Sequence, residues 1–220
     1  MTPPTRRTFP SPPTQARAVV LCAHPDSGSF SSALAQSWVD GALGIESDVV
    51  HLGLLEFNPV LGPNYGRDQA LEPDLLALQA KLESAAHLVV AYPVWWSSTP
   101  ALLKGLFDRL LLPGWAYATV DGRPKGGLTG RSARTLVTMD APLWYDRLFN
   151  RGAARAQVST GTLKFCGFSP VRETAFGGVG ESSAPARQVM LAKARTAGKQ
   201  DAERLLGRFP VAAKSLLVGA

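Results

Sequence analysis

The stretch over residues 87–112, HLVVAYPVWWSSTPALLKGLFDRLLL, restricts the possible folds more than any other part of the chain. Residues 87–92 are a short apolar run of the kind that forms a strand buried on both faces. From Pro100 onward, Leu102, Leu103, Leu106, Phe107 and Leu110 fall on one helical stripe. Thr99 suits the N-cap, Pro100 the first helical position, and Lys104 and Asp108 an i,i+4 pair. Strand and helix are joined by PVWWSST. Two adjacent tryptophans at the carboxyl end of a buried strand would serve a planar aromatic ligand, and read equally well as packing residues.

The rest of the chain alternates in the same way. Residues 18–23 (AVVLCA) read as a buried strand, and 30–43 as a helix with Ser29 or Gly28 at its cap. Residues 48–52 form a second strand, 53–67 a long Gly/Pro/Asn connection, and 73–84 a helix. Beyond the central stretch, 114–130 is a glycine-rich excursion. Residues 134–139 are a fourth strand, 155–165 a helix, 171–175 a fifth strand and 185–206 a long terminal helix. Such alternation predicts an α/β protein with a parallel sheet covered by helices on both faces. Five strands in 220 residues fit the doubly wound, flavodoxin-like order 2-1-3-4-5. Residues 1–17, with Pro3, Pro4, Pro10, Pro12 and Pro13, suit a disordered or arm-like leader, so the folded domain is expected over 18–220.

Composition narrows the partners. A hydrophobic content of 45% supports a substantial core. The net charge of +6 is spread without a basic stripe or zinc-finger spacing, so nucleic acid is not the expected partner; an anionic small molecule is compatible. Cys22 and Cys166, in VLCAH and KFCGF, read as two buried free thiols and fit a reducing cytoplasm. No apolar run reaches the roughly 20 residues of a membrane helix, and the N-terminus lacks the hydrophobic core of a signal peptide.

The expected topology locates a ligand. In a doubly wound sheet it binds beyond the carboxyl ends of strands 1 and 3, flanked here by residues 24–31 (HPDSGSFS) and 93–99 (PVWWSST). The first is a polar loop entering a helix N-terminus, with the chemistry of an anion cradle. The second is a flat apolar shelf. A phosphate joined to a fused ring system satisfies both, although neither loop alone is specific. His24 could equally be a plain hydrogen-bonding loop residue, and Asp140 a cap for the segment after it.

AHPDSGSFS, YPVWWSSTPALLKGLFDR, GWAY and LKFCGF, in this order and spacing, resemble the NAD(P)H:quinone oxidoreductase family of flavodoxin-like flavoproteins. The similarity runs from Val19 to the terminal helix, and its most specific element is YPxxWxxxPAxLKGxxDR. The resemblance implies FMN, with FAD as the alternative, NADPH or NADH as reductant, a quinone as acceptor, and a homodimer with shared active sites. It implies phosphate contacts from His24, Ser29, Phe30 and Ser31. Pro93, Val94, Trp95, Trp96 and Ser97 would flank the isoalloxazine, and a third loop, Thr138, Met139, Asp140, Ala141 and Pro142, would meet its pyrimidine ring. At that third loop the chain departs from the pattern. Many relatives carry Thr-Thr-Gly-Gly followed by a tyrosine and a histidine, whereas this chain has TMDAPLWYDR. Tyr145, Tyr117 or water is then left to supply any proton.

Other readings are weaker. AHPD also opens zinc-dependent sugar deacetylases, but Ser27 replaces the second aspartate, and His24, His51 and His87 are too dispersed for a three-ligand zinc site. No G-x-S-x-G elbow supports a serine hydrolase. A one-electron flavodoxin carrier would be acidic and would lack the WW loop. Some relatives with GWAY resemble regulatory subunits of membrane potassium-efflux systems, and nitro or azo compounds are alternative acceptors. Trp115 and Tyr117 could be dimer packing alone. Arg147, Arg151 and Arg155 read as a solvated face, or as a contact for the NADPH phosphate.

Overall fold

The structure, a computed structural model, describes residues 9–63 and 69–209. In chain order the strands are β1 (Arg17–Cys22), β2 (Glu46–His51), β3 (His87–Pro93), β4 (Tyr117–Val120), β5 (Arg123–Gly126), β6 (Ser132–Thr138) and β7 (Val171–Phe176). The helices are α1 (Phe30–Gly41), α2 (Pro73–Ser84), α3 (Ala101–Leu110), α4 (Leu143–Leu148), α5 (Ala153–Val158) and α6 (Ala184–Arg208). A π-helical turn, Ser159–Lys164, prolongs α5.

Five strands form one parallel sheet in the order β2-β1-β3-β6-β7. This is the 2-1-3-4-5 arrangement with two extra strands numbered in between, because the glycine-rich excursion contains an antiparallel hairpin, β4–β5. Its turn uses positive φ at Asp121 and Gly122, a conformation that hairpins favour. Every residue of β3 and β6 is buried, as expected of central strands in a sheet covered twice. Val19 and Leu21 of β1 meet α2 and α3 through Leu78, Leu82 and Leu106, whereas Ala18, Val20 and Cys22 meet α1 and α6 through Leu34, Trp38 and Ala197. The α1–α6 contact is close: a Cβ on Gly198 would lie 2.0 Å from the Trp38 carbonyl oxygen.

Several local expectations need correction. Pro100, not Thr99, occupies the cap of α3, no side chain caps it, and Thr99 Oγ1 is buried without a partner. The expected helix over 155–165 is instead α5 and its π-helical turn, and α4 is an addition. Residues 1–8 of the leader lie outside the described residues. Residues 9–16 run along 127–131, where the Ser11 carbonyl accepts from Arg131 Nη2 at 2.8 Å. Burial pushes the Cys22 thiol up to about 11, against a hydrogen bond with Ser32, and the Cys166 thiol up to about 12. Both are therefore poor nucleophiles at neutral pH.

Beneath the sheet, at the amino ends of β3 and β6, lies a buried ionic cluster. Asp201 of α6 accepts from both Nε and Nη2 of Arg134, the latter at 2.9 Å, and from Trp38 Nε1 at 3.2 Å. His87 stacks on Trp38 and pairs with Ser132 at 2.7 Å. By contrast, Lys104 and Asp108 form the expected i,i+4 pair, but in solvent, with Nζ 2.6 Å from a carboxylate oxygen. Lys104→Ala should therefore cost no more than about 0.5 kcal/mol in urea unfolding.

Candidate active site

At the carboxyl edge of the sheet, the loops after β1, β3, β6 and β7 surround an open, concave pocket. Its lining is His24, Ser29, Phe30, Ser31, Pro93, Val94, Trp95, Thr138, Met139, Asp140 and Val179.

The first loop is tightly fixed. His24 Nδ1 lies 2.9 Å from the Asp26 backbone nitrogen and 3.1 Å from the Asp26 carbonyl oxygen, so the ring is held against the Asp26 backbone. Asp26 Oδ1 accepts from the Gly28 N–H at 2.8 Å. Ser29 caps α1, its hydroxyl accepting from the Ser32 N–H at 3.3 Å. The N–H groups of Phe30 and Ser31 have no partner among the described residues, as expected in a first helical turn. Hydroxyls, two free N–H groups and the positive end of a helix suit a phosphate. The three predicted loops are tied together: Ser31 and Thr138 pair through their hydroxyls at 3.2 Å, and the Val94 N–H donates to the Thr138 carbonyl at 2.7 Å.

The second loop is a two-residue turn. Trp95 and Ser98 exchange two backbone hydrogen bonds of 2.9 Å, which forces Trp96 and Ser97 to φ values of 51° and 54°. Neither is glycine, so each left-handed residue carries a strain of about 1–3 kcal/mol. The turn is braced from α5, where the Ser98 hydroxyl donates to Gln157 Oε1 at 3.1 Å. The two indoles consequently part. Trp95 lines the pocket, edge-on to His24 with ring centroids 5.3 Å apart, while Trp96 is fully exposed at the tip. Trp96, Ser97 and Ala141 lie outside the lining.

Neither predicted tyrosine lines the pocket either. Tyr145, on α4, stacks on Phe149 at 4.7 Å, and Tyr117, on β4, packs on Phe165 at 5.1 Å. Val179 and the Arg187 behind it were not anticipated. The Arg187 guanidinium sits 5.4 Å from the Phe30 ring centroid and reaches the Val179 carbonyl, bringing a cation to the phosphate end. The readable signal was GGVG directly after the last strand, since that connection must also reach the carboxyl edge. Asp140 Oδ1 accepts from the Gly180 N–H at 2.8 Å and so joins the third loop to this fourth one.

The pocket therefore has a donor-rich end and an aromatic end, and its residues fit a phosphorylated flat ring system. No group of three or more His, Cys, Asp or Glu that could hold a metal occurs among the described residues. None of the described helices is long and apolar enough to cross a membrane.

Comparison with known proteins agrees with this geometry. A family model described as "Flavodoxin-like fold" matches residues 16–198. The chain is 26% identical over 201 residues to NAD(P)H dehydrogenase [quinone] 1 of Rattus norvegicus, covering 80% of this chain and 73% of that protein. It is 29% identical over 182 residues to an NAD(P)H oxidoreductase of Haemophilus influenzae, covering 79% and 89%. The solved NAD(P)H:quinone oxidoreductase of Methanothermobacter marburgensis superposes with a TM-score of 0.71 at 25% identity, covering 84% of this chain and 96% of that one. Fold, crevice and relatives agree: the chain is an oxidoreductase of the flavodoxin-like family and belongs to its NAD(P)H:quinone oxidoreductases.

Proposed function

We propose that the protein holds FMN in this pocket and uses NAD(P)H to reduce quinones in two-electron steps. The observation that carries the reading is the pocket's polarity, with unpaired N–H groups and hydroxyls at the α1 end and the Trp95 indole at the other. Bound there, the flavin supplies acceptance of a hydride and its delivery to an acceptor. The chain's own work is to bind and orient. Ser29, Ser31 and the first-turn N–H groups of α1 hold the phosphate, the His24 ring stands at the rim, and Arg187 balances charge from behind Phe30. Trp95 supports the ring. The left-handed turn leaves the N–H groups of Trp96 and Ser97 without partners among the described residues, available to stabilise charge developing on a bound ring.

Among the described residues of one chain no tyrosine lines the pocket, and we take solvent water at this open rim as the proton source. Reductant and acceptor then share one slot in turn, which requires parallel lines in a double-reciprocal plot; converging lines would rule the shared slot out. We also read the protein as a cytoplasmic homodimer with shared active sites. Sedimentation as a monomer at working concentration would remove that element. FMN titration, followed by quenching of flavin fluorescence, tests the site itself. Ser31→Ala should weaken FMN by about tenfold or more, the loss of one hydrogen bond to a charged group.

A further inference from the structure

α4 and the turn after it carry a surface that the flavin pocket does not use. Trp144, Tyr145 and Phe149 form one exposed aromatic cluster, with Trp144 edge-on to Tyr145 at 5.9 Å and to Phe149 at 6.5 Å. Arg147 is exposed on α4 three residues after Trp144, a helical neighbour by position. Arg151 is exposed at φ 52°, a left-handed conformation costly for a non-glycine residue. Neither arginine has a partner among the described residues. The third arginine of the run, Arg155, is paired, donating to Asp146 at 2.8 Å and also to Glu173. Asp146 is the only acidic residue between 143 and 152, and it is buried beneath that pair. The exposed face therefore presents aromatic rings and two uncompensated positive charges.

We propose that this face binds the 2′-phosphorylated adenosine of NADPH and makes the enzyme selective for NADPH over NADH. The inference rests on the flavin reading, because it takes the nicotinamide to enter the pocket walled by Asp140. Trp144 follows Asp140 by four residues, which places it within about 15 Å of that wall along the chain. A dinucleotide whose nicotinamide lies in the pocket must continue past the rim, and α4 extends directly from the third rim loop. The aromatic rings offer a stacking surface for adenine, and each exposed guanidinium offers the bidentate donors that a phosphate monoester prefers. NADH, which differs only in lacking that phosphate, would leave both cations unpaired. A second copy docked on this face through a two-fold contact would set its two cations near their own copies, an unfavourable arrangement.

Two measurements decide the matter. First, steady-state kcat/KM for NADPH and NADH is determined on FMN-loaded protein at a fixed quinone concentration. Wild type should prefer NADPH by about tenfold or more, the worth of a charge-assisted contact. Arg147→Ala/Arg151→Ala should bring the ratio close to one, and the double lysine variant should restore part of it. Equal efficiency in wild type, or an undiminished preference in the alanine variant, overturns the proposal. Second, tryptophan fluorescence follows binding of 2′,5′-ADP and 5′-AMP to the purified protein with and without flavin. Tighter binding of 2′,5′-ADP that disappears in the alanine variant supports the site, and equal binding of both nucleotides refutes it. Failure to take up flavin would instead strike the functional reading, since the fluorescence measurement does not depend on it.

Discussion

Asp201→Ala is expected to destabilise the protein by about 3–5 kcal/mol, because it strands a buried cation. Arg134 is 5% exposed, and two of its three nitrogens donate to this one carboxylate, with the third on Thr174 Oγ1 at 2.8 Å. Trp38 Nε1 would lose its acceptor as well. The Asp201 carboxylate also lies 3.4 Å from His87 Nε2, in poor alignment for a hydrogen bond. Against a total stability of about 5–15 kcal/mol for a domain, the loss is large. It should appear as a lower urea midpoint with an unchanged slope.

The same cluster sets the dependence on pH. Burial would push the Asp201 carboxyl up, but the neighbouring His87 and the Arg134 guanidinium more than reverse this and hold it well below the carboxylate range. Its contribution is complete above about pH 4 and is lost only as pH falls through the depressed native value, in strong acid. For His87 burial dominates and holds the imidazole below its ordinary value, although Asp201 opposes this. The unfolded chain thus takes up a proton near pH 6.5 before the native protein does, and acidification through that region favours unfolding. Stability should fall by at most about 1.4 kcal/mol per pH unit between pH 6.5 and 5 on this account. His87→Asn should flatten that slope, and an unchanged slope would assign it to other groups.

Gly53→Ala is expected to weaken FMN binding by about 100-fold through a shift on the order of 1 Å in the phosphate loop. An added Cβ would lie 1.9 Å from the Pro25 carbonyl oxygen, far inside contact distance, and both partners are backbone. The strain must pass into the loop that begins at His24, whose ring is already tied to the Asp26 backbone. Gly207→Ala is the matched control: its Cβ would meet nothing within 4 Å, and in the last turn of α6 it should be neutral or slightly stabilising. Parallel FMN titrations of the two variants separate a loop effect from a general cost of replacing glycine. Equal affinities in both would mean that the first loop does not hold the phosphate.

The central strand β3 was legible because a sheet covered twice imposes a continuous apolar run, as in residues 88–91. The carboxyl-edge crevice followed from the alternation alone. What escaped depends on contacts distant in sequence or on unusual backbone. α4 presents Trp144, Leu148 and Phe149 to solvent, so PLWYDRL has no inward apolar stripe to read. The partition of Trp95 and Trp96 comes from a left-handed turn built without glycine, which no residue type announces. The ionic cluster joins His87 to Asp201, 114 positions apart, and neither residue carries a local motif. Lys104 and Asp108, neighbours by helical spacing, were readable and matter little.

The central claim, that the crevice between the loops after β1 and β3 receives a phosphorylated flavin, is tested most directly by equilibrium titration of the flavin-free protein with FMN. The expected result is saturable quenching of flavin fluorescence at one FMN per chain, with the affinity weakened in both Trp95→Ala and Ser31→Ala. A protein that stays colourless after incubation with excess FMN and FAD, or that binds them equally well in both variants, would contradict it.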